Sequence, residues 1–309
     1  MWLLELLLLL VLLLVLLRLL LPVLRRVFTG QRIDGPPNCI TISCPGGGVF
    51  FWWQIGAMHE LLQLYDLPLE SVMLSGASAG ALAVVLAQCG VDPAAAHKLA
   101  FSLADEAGCM QSPLGLCGKW GRLVYAWLDA LLPAHGHTLC NGRCNVVVTR
   151  CTPLPRACGI AAHNSRAELI DALMASTHVP FFMDGSPFSR RMRGTTDGDL
   201  LTWLGLASAL ETLCPEAANR PAAILVSHKH DEAFLTACRA NGWSSFSTRG
   251  TEEFCEYGAA WVRREASLGA AGLFAALAPY RRTGRKKRAV SPAASATRQR
   301  RAQRSPARV

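Results

Sequence analysis

The chain has 309 residues, 51% apolar and 17% charged, with a formal net charge of +9. That balance excludes a wholly disordered, collagen-like or coiled-coil chain, and the length suits one large domain or two small ones. Eleven Lys and Arg with no Asp or Glu fall in residues 281–309; the rest of the chain holds 20 basic against 22 acidic residues, so the body is near neutral and does not read as a nucleic-acid binder.

Residues 2–24 are mostly leucine, and Glu5 and Arg18 are their only charges. As a helix they would reach about 34 Å, enough for a bilayer core. A cleaved signal peptide is the rival reading. It would want a basic start, a shorter apolar run and a small-residue cleavage site, whereas the run here ends in Pro22-Val23-Leu24-Arg25-Arg26. We therefore expect an anchor over residues 1–26. Arg25, Arg26 and Arg32 follow it, which puts the body on the cytoplasmic face. Twelve scattered cysteines and the lack of any Asn-x-Ser/Thr acceptor agree with that side.

From Cys39 onward strand-like and helix-like runs alternate. Residues 39–44 read as a strand, broken by Pro45-Gly46-Gly47-Gly48 and followed by an apolar helix over about 53–64. Residues 71–75 read as a buried strand broken by Gly76, and 80–89 as an Ala/Leu/Val helix. Residues 103–136 are less legible, with a helical cover over a site and ordinary surface helices both open. Residues 145–149 are a strand, Ser165 and Glu168 form a capping box opening a helix through Met174, 221–227 hold a strand, and a helix over about 251–264 closes the body. This alternation predicts an α/β fold with a mostly parallel sheet, a domain over residues 38–272. The basic stretch 281–309, interleaved with Ser, Pro and Ala, is expected to be disordered, and either solvated or drawn to anionic lipid.

Gly76-Ala77-Ser78-Ala79-Gly80 matches G-x-S-x-G, in which a serine on a tight strand-to-helix turn projects its hydroxyl above the sheet. The following helix would turn its positive end toward that hydroxyl. Gly46, Gly47 and Gly48 could bring backbone N–H groups to a developing oxyanion. A phosphate-cradling loop would want a following Gly-Lys-Ser/Thr, and the residues here are Val49-Phe50-Phe51-Trp52-Trp53. Serine also needs a base. Asp197, on a loop with Gly198, is the candidate, and Asp199 and Asp184 compete with it. His228 and His230 follow Asp197 in the chain order of a Ser-Asp-His triad, and His178 is a further possibility. His135, His137, Cys140 and Cys144 have the residue types of a zinc site but not its spacing, so no metal is expected and the cysteines read as thiols.

In order, these elements resemble the patatin-like phospholipases, in particular the branch with adipose triglyceride lipase and adiponutrin. The shared run covers about residues 40–199: Gly46-Gly47-Gly48 with Gly56, the serine pentad, the strand ending Thr149-Arg150, Ala175-Ser176-Thr177-His178-Val179-Pro180, and Asp197-Gly198. The resemblance implies a three-layer α/β fold, a Ser78–Asp197 dyad without a third member, a glycine oxyanion hole and no cofactor. Acylglycerol, phospholipid or galactolipid esters would be the substrates. Two departures stand out. The family's Asp-Gly-Gly/Ala is here Asp197-Gly198-Asp199, which sets a second carboxylate beside the base. Its polar continuation is replaced by Leu200-Leu201-Thr202-Trp203. The readings are thus a membrane-anchored serine lipid acyl hydrolase, a transacylase using the same acyl-enzyme, or a weakly active or inactive lipid-binding member of the fold.

Overall fold

The computed structural model describes residues 40–68, 70–109, 116–213, 223–244 and 249–282. The expected anchor over 1–26 and nearly all of the basic tail lie outside them. Among the described residues no helix is long and apolar enough to cross a membrane.

Six strands form one sheet: β1 (Ile40–Cys44), β2 (Val72–Ala77), β3 (Cys144–Arg150), β4 (Arg156–Ile160), β5 (Thr195–Thr196) and β6 (Ala223–Leu225). Their order is β4-β3-β2-β1-β6, with β5 also paired to β3. β1, β2, β3 and β6 run parallel; β4 and β5 are antiparallel to β3. The expectation of a mostly parallel sheet holds, and the two antiparallel strands were not foreseen. β5, only two residues long, carries too little pattern to be read as a strand.

Side chains alternate across the sheet as the period of two requires. Ile42, Cys44, Val72, Leu74, Cys144, Val146 and Ile224 enter the main core, while Ala77 and Val147 face the other way and meet Leu213. On the main-core face lies α2 (Ala79–Gln88), buried along its whole length, then α1 (Phe51–Leu64), then α10 (Thr251–Ser267). Glycines let the last two approach: a Cβ on Gly56 would lie 2.1 Å from the Cys255 carbonyl oxygen, and one on Gly258 2.0 Å from that of Trp53. Buried Asp231 ties this stack together, accepting from Trp53 Nε1 at 2.9 Å and pairing with Arg264 at 2.7 Å. It also caps α9 (Glu232–Asn241) by accepting from Phe234 N.

The described part of residues 103–136 holds helices packed on the body. α3 (Pro93–Glu106) is capped by Asp92, with Pro at its first turn. α4 (Trp120–Leu131) buries Val124, Trp127, Leu128 and Leu131, and Trp127 Nε1 donates to Ala96 O at 2.9 Å. A short α5 (Gly136–Cys140) precedes β3, and α6 (Arg166–Ser176) opens with Ser165 accepting from Glu168 N, half of the expected capping box. Glu168 completes it one residue early, accepting from Asn164 N. Short helices α7 (Leu200–Trp203) and α8 (Ala209–Leu213) follow β5. The packed body runs past the expected boundary at 272. Phe274 and Leu277 are buried, and Arg281 and Arg282 bond to Ala266 O and Asp66, so these two arginines belong to the body.

Candidate active site

Register decides what meets at the carboxyl ends of the strands. Cys44 pairs with Gly76, so the Pro45–Gly48 turn and Ser78 leave the sheet side by side. β2 ends at Ala77 opposite Val147, and β5 pairs with Thr149 and Arg150. Because β4 takes the other edge of β3, β5 continues the lane that β2 vacates. Ser78, just past β2, and Asp197, just past β5, are thereby brought together from 119 residues apart. Ser78 Oγ donates to Asp197 Oδ2 at 2.6 Å.

The turn at Ser78 has φ 53° and ψ −126°, a region a non-glycine side chain avoids unless its surroundings impose it. They do so from three sides. Ser78 N donates to Ser176 Oγ at 2.9 Å, and Ser176 Oγ donates to Val147 O at 2.6 Å. A Cβ on Gly80 would lie 2.0 Å from the Cys44 carbonyl oxygen, and one on Gly76 2.5 Å from that of Gly80. Both glycines of the pentad are thus needed for α2 to leave the sheet this close to β1. Gly76 pairs inside β2 instead of breaking it, contrary to the sequence expectation.

Asp197 is held by its neighbours. Its N–H donates to His178 O at 3.0 Å, its Oδ1 accepts from Asp199 N at 2.9 Å, and Gly198 N donates to Ser176 O at 2.9 Å. A Cβ on Gly198 would stand 2.0 Å from Val147 O. Burial pushes the Asp197 carboxyl up to about 7. The Ser78 hydroxyl and Asp199 amide pull it down, while the Asp199 charge adds to the rise. Asp199 is raised to about 6, also by burial, against hydrogen bonds from the Gly46 amide and Thr202 and the charge of Lys229.

Gly48 has φ +56°, which favours glycine. Gln54 braces the turn, donating to Pro45 O at 2.6 Å and lying against Gly47. Two of these supports, Ser176 and Gln54, carried no assigned role in the sequence reading. Ser176 stood in a motif noted only for its order, and Gln54 is a polar residue inside an apolar helix, the one signal that could have marked it.

The other candidates lie elsewhere. Asp184 is exposed and faces Arg190 at 3.4 Å. The His178 ring meets Ser186 O at 3.0 Å. His228 is buried against Phe50, 4.6 Å between ring centroids, and its pKa falls to about 4 chiefly through burial. His230 is exposed. Among the described residues no histidine ring hydrogen-bonds Ser78 or Asp197, and no three His, Cys, Asp or Glu gather as a metal site. Cys140 and Cys144 are buried thiols, with Cys140 Sγ 3.8 Å from that of Cys89; Cys117, by contrast, is exposed.

The sequence model of a family described as patatin-like phospholipase matches residues 42–202, from β1 into α7. The omega-hydroxyceramide transacylase of Mus musculus is 28% identical over 175 residues, 56% of this chain and 28% of that protein. That of Homo sapiens is 29% identical over 159 residues, 51% and 29% of the two chains. The matched segment therefore spans less than a third of the length of these relatives.

Proposed function

Because the chain belongs to the patatin-like phospholipase family, we propose that it removes fatty-acyl groups from acylglycerol or phospholipid esters through a Ser78–Asp197 dyad. The observation that carries this reading is the 2.6 Å hydrogen bond from Ser78 Oγ to a buried carboxylate, on a serine held at positive φ. Ser78 Oγ attacks the ester carbonyl while Asp197 accepts its proton. The tetrahedral oxyanion is received by amides of Gly46, Gly47 and Gly48. Collapse of the intermediate expels the alcohol, which takes the proton from Asp197 and leaves the acyl group on Ser78. Water, deprotonated by Asp197, then attacks the acyl carbonyl, and collapse releases the fatty acid while Ser78 Oγ takes the proton back from Asp197. A displaced carboxyl near pH 7 suits a group that both takes and returns a proton.

A second reading replaces water by a lipid hydroxyl, and the name of the two relatives favours it. Both readings include association with a lipid surface through the apolar residues 1–26, body toward the cytoplasm, and the basic tail. The test uses the full chain with a fluorophosphonate probe, p-nitrophenyl butyrate, and vesicles containing an ester lipid and a hydroxylated lipid. Ser78→Ala and Asp197→Asn should abolish turnover, and a His228→Ala/His230→Ala double variant should keep it. Free fatty acid identifies water as acceptor; a new ester identifies transfer. A folded wild type that neither labels nor turns over favours the lipid-binding reading instead.

A further inference from the structure

Asp199 performs two separate tasks with two separate groups. Its backbone N–H donates to Asp197 Oδ1 and so steadies the base. Its side chain turns toward the glycine loop. A Cβ built on Gly46 would lie 2.6 Å from both Cβ and Oδ2 of Asp199 and 2.7 Å from its Cγ, so the Asp199 side chain fills the space that a side chain on the first loop glycine would take. The nearby Gly46 amide and Thr202 hydroxyl, with the charge of Lys229, favour its charged form. Asp199 precedes α7 but makes no side-chain cap there, and among the described residues its buried Oδ1 has no hydrogen-bond partner.

We propose that the Asp199 carboxylate is an internal occupant of the oxyanion loop that restrains turnover. This rests on the Ser78–Asp197 reading above. A loop amide crowded by a neighbouring carboxylate is less free to donate to an oxyanion. A fixed negative charge beside the position where negative charge develops raises the barrier further. The penalty falls on the transition state more than on the neutral ester, so it appears in kcat rather than in KM. Removing a residue that merely supported the fold would lower the rate; removing Asp199 should raise it.

The test compares the full-length wild type with Asp199→Ala and Asp199→Asn, measuring p-nitrophenyl butyrate kinetics and the rate of fluorophosphonate labelling at Ser78. Loss of one oxyanion donor costs about a hundredfold or more in kcat in well-studied hydrolases. Freeing one that is blocked part of the time should raise kcat about tenfold in Asp199→Ala, with KM little changed. Asp199→Asn keeps a carbonyl oxygen able to accept from Gly46 and loses the charge, so its gain should be smaller. Labelling should accelerate in the same order, and Ser78→Ala/Asp199→Ala should neither label nor turn over. Rates in both variants equal to or below wild type, with unchanged thermal unfolding, overturn the proposal while leaving the dyad standing. If one variant does not fold, the other decides. Folded wild type and variants that all fail to label sink the dyad reading and this proposal together.

Discussion

Asp197→Asn should separate activity from stability, because the proposed base is a destabilising residue. Its carboxyl sits at about 7 against an ordinary 3.8. The folded state therefore holds the proton more tightly than the unfolded chain. Between about pH 4 and pH 7 the folded form binds more protons, so this group costs stability progressively as pH rises through that window, and the cost is complete above it. At about 1.4 kcal/mol per pH unit, the displacement amounts to at most about 4 kcal/mol at pH 8. Asn has the same shape and no charge to bury, and its Oδ1 can keep accepting from Asp199 N while its Nδ2 donates to Ser78 Oγ. The variant should therefore unfold later than wild type at pH 8, by on the order of 10 °C for a body of this size, and by far less near pH 4.5. Thermal or urea unfolding of both proteins across that range, beside turnover at each pH, makes the comparison. A stability difference that does not change with pH, or one that grows toward acid, would falsify the linkage.

The same displacement predicts that kcat/KM climbs about tenfold per pH unit below about 7 and levels off above it; a flat profile from pH 5 to 8 would remove Asp197 as the base. Gly198→Ala forces a methyl to 2.0 Å from Val147 O, so it should cost about 1–3 kcal/mol in urea unfolding and reduce kcat further by moving Asp197 off Ser78; wild-type kinetics would contradict the geometry. Ser176→Ala leaves Ser78 N–H and Val147 O without their partner, for a loss of roughly 1–3 kcal/mol and slower phosphonate labelling at Ser78; full-speed labelling would show that the elbow does not depend on that hydroxyl. His228→Phe replaces a buried, neutral ring among Phe50, Trp53 and Phe234 and should keep the activity and its pH profile; collapse to the Ser78→Ala level in a folded variant would restore the triad.

Much of the site was legible because its parts are local. The glycine turn, the serine pentad and Asp197-Gly198 each lie within a few residues, and each needs small residues for a steric reason that composition displays. Ser78, Asp197 and the glycines were named on that ground, and the structure brings Ser78 to Asp197. The misses have different causes. Gly76 looked like a strand breaker because glycine usually is one; here it stays in β2, since a carbonyl of the next helix occupies the space of its missing side chain. β4 and β5 went unseen because an antiparallel edge strand of two to five residues has no period to detect. α3, α9 and the packed segment reaching Arg282 are held by tertiary contacts more than by their own pattern.

The amino-acid order alone determined the class of the fold, the position of the nucleophile turn and the list of carboxylates that could serve it. Periodicity and turn chemistry act over a few residues and survive in one dimension. Which carboxylate meets the Ser78 hydroxyl was decided only in three dimensions. β5 fills the lane left by β2 and carries Asp197 to Ser78, while the next aspartate, two residues on, turns onto Gly46. The turn after β5 aims these two identical side chains at different partners, Asp197 at Ser78 beyond β2 and Asp199 at Gly46 beyond β1. Burial then separates both from ordinary aspartates, an environmental effect that no spacing in the sequence encodes.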